Sequence, residues 1–231
     1  MTTYQLNFNI DDAGLQKINN AGQYLTIVKS ATGSKPAHGD PVAWLAFAPM
    51  GTDLVSWTEN DYLYSTQTLI ESGATIIMSS TTPQPLQEGS LYTFNSNYTF
   101  ATTPNGSKGV FDLNNQAQDL VFGLAQKAVV NQVSTLSPLN AISVLYGEQA
   151  SFEPEETLSI FLSSYDNNGC VISQVASNAL VVTLTSVNPT ANIGFDDANN
   201  VFVQNDAKLT SRQDFAARVA SRRVENVARR A

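Results

Sequence analysis

Side chains that commonly carry out catalysis are scarce in this sequence. Its 231 residues include one histidine, His38, and one cysteine, Cys170. A single histidine leaves no His-based metal cluster and little scope for a catalytic triad, and His38 stands in a turn-like segment without a nucleophile motif. The chain also lacks the GxSxG, Walker A, GxGxxG and CxxC patterns. Hydrolase, nucleotide-binding, dinucleotide-binding and zinc-binding functions are therefore not indicated, and we predict no cofactor.

Carboxylates are the remaining candidates for acid–base chemistry. A pair of Asp or Glu side chains can hydrolyse glycosides when the two stand about 5–9 Å apart and one has a raised pKa. The densest acidic cluster consists of Glu153, Glu155 and Glu156, of which Glu153 and Glu155 would share one face of a strand. No pair stands out by its spacing, so we interpret the three as a solvated acidic surface that can receive a basic partner. We predict no catalytic residue and a protein that is not an enzyme.

Two clusters rich in Asp and Asn offer hard oxygen ligands of the kind that Ca²⁺ binds. Such sequences are also typical of turns, because Asx side chains hydrogen-bond to nearby backbone groups. We predict turns at both places and assign no metal, with calcium left open as the alternative. The clusters consist of Asp166, Asn167 and Asn168, and of Asp196, Asp197, Asn199 and Asn200.

Aromatic residues concentrate between positions 44 and 64. If exposed, such a set could stack on a sugar ring or a lipid headgroup, and carbohydrate binding stays open for that reason. Trp44 and Trp57 lie in strand-like runs, however, so we expect them to fill a core. Cys170 also lies in such a run and is predicted to be a small buried apolar residue. The aromatic set comprises Trp44, Phe47, Trp57, Tyr62 and Tyr64.

Short alternating runs predict the elements that position these side chains. Tyr4, Leu6, Phe8 and Ile10 alternate with polar residues, a period of two that is typical of a half-buried strand. Similar runs recur about every 10–15 residues, which favours an antiparallel β-sandwich or jelly roll over βαβ units. Helical periodicity is nearly absent before residue 206. The further runs cover residues 23–29, 41–48, 54–58, 61–65, 74–79, 91–100, 119–126, 141–147, 157–163, 170–173, 179–186 and 200–204.

A turn-rich segment, TTPNGSKG at 102–109, is the best internal boundary. It divides the chain into residues 1–103, a linker at 104–109, residues 110–205 and a tail at 206–231. The two halves share a rhythm of strands but no residue-level repeat. One large sandwich and two tandem modules therefore both remain open, and the predicted fold is all-β with a C-terminal helix.

The tail has the pattern of a basic amphipathic α-helix. Ser211 and Asp214 resemble a capping arrangement at a helix start, and the Ala-rich sequence that follows favours a helix. Its apolar residues fall on one broad face and its arginines lie largely off that face. We predict that this helix binds a partner through Arg212, Phe215, Arg218, Val219, Arg222, Arg223, Val227, Arg229 and Arg230.

Charge is divided unevenly along the chain. Residues 1–207 hold 18 carboxylates, five lysines and no arginine, whereas residues 208–231 hold one lysine and six arginines against two carboxylates. A basic arm on an acidic body is self-complementary, because the arm of one subunit can lie on the acidic surface of the next. We therefore predict a non-catalytic structural protein that self-assembles as a homo-oligomer or docks a partner, through contacts that weaken with salt.

Other uses of the basic helix are ranked below assembly. A secreted toxin or membrane-active protein would lay the helix on anionic lipid, but its apolar face is mostly Ala and Val. Nucleic acid is disfavoured because the acidic body would repel it. The helix could also fold back onto its own body. With no signal peptide and no run long enough to span a bilayer, the sequence predicts a cytoplasmic protein, and release by a non-classical route stays open.

Several segments resemble the rhizosphere-induced protein family of small bacterial and fungal β proteins. They are YQLNFNI near the start, YLTIVKS, VAWLAF at 42–47, LVSWTENDYLYS at 54–65 and FEPEETLSIFL at 152–162. The resemblance extends to about residue 165 and implies an all-β, non-enzymatic protein without catalytic residues to transfer. The arginine-rich helix is not part of that pattern, so a function located there is not implied by the resemblance.

Overall fold

A computed structural model describes residues 2–33 and 39–205, which form 17 β-strands and one α-helix. Helix α1 (Asp12–Asn20) lies between the first two strands. The earlier strands are β1 (Thr3–Asn9), β2 (Tyr24–Gly33), β3 (Asp40–Ala43), β4 (Leu45–Phe47), β5 (Thr52–Thr66), β6 (Ser80–Thr81), β7 (Leu91–Phe94) and β8 (Phe100–Thr103). The later strands are β9 (Phe111–Asn115), β10 (Leu120–Val130), β11 (Val133–Pro138), β12 (Asn140–Val144), β13 (Gln149–Ser163), β14 (Cys170–Val171), β15 (Leu180–Thr183), β16 (Thr190–Asp196) and β17 (Val201–Asn205).

The strands form two sheets. Within the described residues, the larger sheet has ten strands in the order β14-β3-β12-β10-β5-β1-β16-β17, with β11 beside β10 and β6 beside β5. The smaller sheet has seven strands in the order β4-β2-β13-β9-β7-β8, with β15 beside β13. The strands pair in parallel at β1–β16 and at β7–β9. The largest hydrophobic cluster contains residues of both sheets, and two smaller clusters lie beside it.

Strand pairs cross between the two halves of the chain. In the larger sheet β5 pairs with β10, and in the smaller sheet β2 pairs with β13. The loop at 104–109 therefore does not separate two self-contained sets of strands. Its backbone is packed closely, because a Cβ atom at Gly106 would lie 2.3 Å from the backbone of Ser90.

Side chains of β1 alternate between buried and more exposed positions, as the sequence predicts. Tyr4, Leu6 and Phe8 are buried in the core, while Thr3 and Asn9 at the ends of the strand are exposed. Backbone hydrogen bonds pair β1 with β5 on one side and with β16 on the other. The prediction of an all-β, sandwich-like fold is confirmed at this level.

Helix α1 corrects the expectation that helical periodicity is nearly absent before residue 206. The Asp11 carboxylate caps the helix by accepting a hydrogen bond from the Gly14 N–H at 2.9 Å. Gly14 and Ile18 form its buried side, and Asp12 and Lys17 complement the helix dipole at the two ends. Nine residues with so short a buried stripe give little periodic signal.

None of the helices within the described residues is long and apolar enough to cross a membrane.

Several predicted runs have different limits in the structure, and two cases show why. The run at 91–100 is a hairpin, in which β7 and β8 flank a turn that begins at Asn95. The runs at 54–58 and 61–65 belong to one strand, β5, which is 15 residues long. Polar residues mark a turn in the first case and an irregularity within a strand in the second, and local sequence does not distinguish the two.

The two tryptophans lie in the core, as the sequence predicts. Trp44 is fully buried and Trp57 is 3% exposed, and their rings meet edge to face with centroids 5.3 Å apart. Tyr64 is also fully buried, in a second apolar cluster, whereas Phe47 and Tyr62 are partly buried. Cys170 is a buried free thiol, as predicted, and burial raises its pKa.

Candidate functional site

A bulge in β13 lies at one side of the candidate site. Pro154 pairs with Ala31 of β2 and Leu158 pairs with Lys29, so three residues of β13 face a single residue of β2. The bulge lies where β13 changes its other neighbour, from β9 at 149–152 to β15 at 157–160. Extra residues in a strand redirect side chains, and Glu156 lies inside this bulge.

A second bulge interrupts β5 in the opposite sheet. Trp57 pairs with Ala128 of β10 and Asp61 pairs with Gln126, so residues 58–60 of β5 face one residue of β10. The two bulges flank a set of polar side chains that contact each other across the core. β-Bulges occur often beside functional sites, which makes this set the first candidate.

Lys29 is the centre of the buried polar cluster. Only 1% of the residue is exposed. Its Nζ atom lies 2.7 Å from Glu156 Oε1, an ion pair, and donates a second hydrogen bond to Gln126 Oε1 at 2.8 Å. Gln126 Nε2 in turn donates to Asp61 Oδ1 at 3.0 Å. Charged and amide groups thereby connect β13 and β2 of the smaller sheet to β10 and β5 of the larger sheet.

Two indole rings enclose the Lys29 ammonium group. Nζ lies 5.7 Å from the centroid of the Trp44 ring and 5.6 Å from that of Trp57, within the range of cation–π attraction. Trp57 Nε1 donates to Glu156 Oε2 at 2.8 Å, and Trp44 Nε1 donates to the Gln126 carbonyl at 3.2 Å. The tryptophans therefore pack against the cation and also donate to other oxygens of the two residues that accept from it.

Tyr4 extends the cluster towards the β5 bulge. Its ring stacks on Trp57 at a centroid distance of 5.7 Å and an interplanar angle of 22°. Its hydroxyl donates to Glu59 Oε1 at 2.6 Å, and Glu59 belongs to the bulged residues. The phenol thus contacts both the apolar wall of the cluster and one of its peripheral carboxylates.

Asp61 is the buried carboxylate at the far end of the cluster from Glu156. Burial raises the pKa of the Asp61 carboxyl to about 6. The charge of Lys29 and the hydrogen bond from Gln126 oppose this rise, whereas the carboxylates of Glu156 and Glu59 add to it. Asp61 can therefore take up a proton at mildly acidic pH while it remains inside the folded protein.

A cleft of about 300 Å³ begins beside Lys29. Glu155, Asp40 and Ser159 contribute polar groups to its lining, and Val175 and Leu139 contribute apolar ones. Glu155 lines the cleft, whereas the Glu156 carboxylate binds Lys29 in the interior. The bulge in β13 thus leaves one carboxylate at the cleft and directs the next, partly buried, towards Lys29.

The predicted acidic surface is therefore only partly a surface. Glu153 is exposed and Glu155 is partly buried beside the cleft. Glu156 has a side-chain exposure of 18%, and both of its carboxylate oxygens are engaged by Lys29 and Trp57. The structure does not bring Glu156 together with the other two as a set open to a partner.

The Asx-rich clusters have local hydrogen-bond partners. Asp196 accepts hydrogen bonds from the Ala198 and Asn199 N–H groups and from Asn199 Nδ2. Asn168 Oδ1 accepts from the Ala46 N–H at 2.7 Å, and Asp166 accepts from Asn167 at 2.6 Å. These contacts account for both clusters as turns. His38 and all nine predicted partner-binding residues of the tail lie outside the described residues.

Sequence reasoning missed Lys29, Gln126 and Asp61, although the alternating pattern contained a signal. Lys29 continues the inward series that Leu25 and Ile27 begin in β2. In the same way Gln126 follows Phe122 and Leu124 at a spacing of two in β10, and Asp61 lies two positions before the buried Leu63 in β5. A polar residue at an inward position of an apolar alternation indicates a buried partner, because an unpaired polar group is costly in a core.

Comparisons with protein-family models, curated proteins and solved structures return no match for this chain. The fold and the site therefore assign the chain to a structural class only. It is an all-β protein with two sheets, in which a Lys–Glu ion pair within the smaller sheet is joined to the larger sheet by the hydrogen bond from Lys29 to Gln126.

Proposed function

We propose that this protein is a non-catalytic assembly or docking protein. Its basic tail at 206–231, predicted from the sequence to be an amphipathic helix, binds an acidic β surface on a neighbouring subunit. The observation that carries the proposal is the separation of charge. All six arginines lie between residues 212 and 230, and the rest of the chain is strongly acidic.

The acidic body has little cationic compensation of its own. Residues 2–33 and 39–205 contain 17 carboxylates and four lysines. Where the structure describes both partners, Lys29–Glu156 is the only ion pair, and it is buried. Of the other lysines, Lys17 donates to the Asp197 carbonyl and Lys127 lies over the Tyr62 ring at 5.6 Å. A basic segment therefore meets little competition from lysines of the body.

The proposed counter-surface is centred on the cleft beside β13. Glu153 is exposed, and Glu155 and Asp40 both line the cleft. A guanidinium group can donate two parallel hydrogen bonds to one carboxylate, which favours arginine over lysine for such a contact. This surface replaces the predicted set of Glu153, Glu155 and Glu156, because Lys29 already holds the Glu156 carboxylate.

Gel filtration with light scattering tests the proposal by comparing the full chain with a variant that ends at Asn205. We expect the full chain to form oligomers in low salt that dissociate as NaCl is raised from about 0.05 to about 1 M, where the screening length falls to about 3 Å. The shortened variant should be monomeric throughout. Equal masses for the two proteins would overturn assembly and leave docking within one chain as the alternative.

The membrane-active alternative and the resemblance to the rhizosphere-induced protein family both stay predictions. Binding of the full chain to anionic vesicles, lost on replacing Arg218 and Arg222 with Gln, would favour the membrane-active function. The resemblance implies a non-enzymatic protein, in agreement with the proposal, and does not extend to the tail.

A further inference from the structure

A recess of about 210 Å³ lies beside the β7–β8 turn and is separate from the Lys29 cluster. Its polar lining consists of hydroxyl and amide side chains from the end of β5, the segment before β6 and β6 itself, namely Ser65, Thr66, Gln67, Ser79 and Ser80. No charged residue lines it within the part of the chain that the structure describes.

Part of this lining is left available for a ligand. The Thr66 hydroxyl donates to the Ile77 carbonyl at 2.6 Å, and the Ser80 hydroxyl donates to the Tyr98 carbonyl at 3.0 Å. Among the described residues, the hydroxyls of Ser65 and Ser79 and the amide of Gln67 have no such internal partner. Ser65 is only 2% exposed and lines the recess, so a ligand there could reach its hydroxyl.

Tyr98 forms the aromatic wall of the recess from an unusual backbone position. Its N–H donates to the Asn95 carbonyl at 2.8 Å, which closes a turn, and its φ angle is 61°. This left-handed region favours glycine, so an aromatic residue there is uncommon and makes Tyr98 a candidate for function. Tyr98 is 48% exposed as a residue, and its ring is held edge to face against the buried Phe94 at a centroid distance of 6.2 Å.

We propose that this recess binds a neutral hydroxylated molecule the size of one sugar ring. A sugar offers hydroxyls that both donate and accept, which suits the Ser65, Ser79 and Gln67 groups. Its apolar face can lie on the exposed Tyr98 ring. The volume is below the roughly 300–1,000 Å³ of pockets for drug-sized ligands, so a single ring fills the recess.

Saturation-transfer difference NMR on the full chain tests the proposal, because it observes the ligand and tolerates large assemblies. The probes are glucose, galactose, mannose and N-acetylglucosamine, each added separately. We expect signal transfer to at least one of them, and loss of that transfer in Tyr98→Gly. This variant removes the ring but suits the left-handed backbone, so the fold should be retained. Gln67→Ala should weaken the same signal.

The matched control is Asn200→Gly, which places glycine at another left-handed position, in the β16–β17 hairpin outside the recess. Its signal transfer should equal that of the natural protein. Transfer to none of the four sugars, or transfer that persists unchanged in Tyr98→Gly, would overturn the proposal. Disaccharides of the bound sugar distinguish the source: equal transfer supports binding of a glycan end, and its loss supports binding of the free monosaccharide.

Discussion

Lys29 donates to acceptors that come from different sheets, Glu156 on β13 and Gln126 on β10. Two opposite charges in a core cost desolvation energy, so the pair as a whole contributes little net stability. Its contribution is to geometry, because Lys29 has both of its acceptors only when β2, β13 and β10 are in the observed arrangement. Removal of one partner lowers stability, because it leaves the other charge buried without an opposite charge.

Lys29→Met is therefore expected to lower the free energy of unfolding by about 3 kcal/mol, the lower end of the range for broken buried pairs because Glu156 keeps some exposure. Urea unfolding followed by tryptophan fluorescence measures the loss. Lys127→Met, which changes an exposed lysine, should cost within about 0.5 kcal/mol. The double change Lys29→Met with Glu156→Leu should recover part of the stability. Equal losses for the two lysine variants would contradict this account.

Asp61 predicts a dependence of stability on pH. Its pKa is about 6 in the folded protein against 3.8 ordinarily, so between these values the folded state binds more protons than the unfolded state. Its contribution to stability is fully present below about pH 4, is lost as pH rises to about 6 and is constant above, a change of about 3 kcal/mol at most. Urea unfolding at several pH values should show this component in the natural protein and not in Asp61→Asn. Identical pH profiles would contradict the assignment.

Register could have predicted that Lys29 points inward, because it follows Leu25 and Ile27 at a spacing of two. The sequence could not have identified its partner. Glu156 reaches it only because the β13 bulge shifts the register between Pro154 and Leu158. That shift depends on pairing between strands more than 100 residues apart, which no local pattern contains.

At the scale of elements, local sequence predicts where the strands lie better than it predicts their bulges. The sequence predicts separate runs at 54–58 and 61–65, and the break between them is the site of the β5 bulge. Glu59 and Asn60 interrupt the alternation as turn residues would. Whether such a break becomes a turn or a bulge depends on β10. Gln126 and Ala128 of β10 pair with β5 on either side of the break, so the strand continues through it as a bulge.

Gly14 gives a test at this scale. A Cβ atom there would lie 2.8 Å from Phe195 Cδ1, so Gly14→Ala forces the ring to move although alanine favours helix by about 1 kcal/mol. We expect a net loss of about 1–2 kcal/mol, typical of overpacking. Thermal unfolding measures it, with the exposed Ala13→Ser as the control in the same turn. A more stable Gly14→Ala would show that α1 packs less closely against β16.

For the whole molecule, the separation of charge could be counted from the sequence, whereas the position of the acidic counter-surface could not. Glu153, Glu155 and Glu156 are neighbours in the chain, yet the fold exposes the first, places the second at a cleft and engages the third in the core. Asp40 joins Glu155 at the cleft from more than 100 positions away. We propose that the tail of one subunit binds this surface on another.

Reversal of charge on both sides tests that claim most directly. One variant carries Arg218→Glu and Arg222→Glu in the tail, and the other carries Glu153→Arg and Glu155→Arg in the body. Sedimentation velocity should show that each variant alone is monomeric in low salt, because like charges then face each other. An equimolar mixture should associate again, since each tail meets an opposite surface. Variants that associate alone, or a mixture that stays monomeric, would contradict the account.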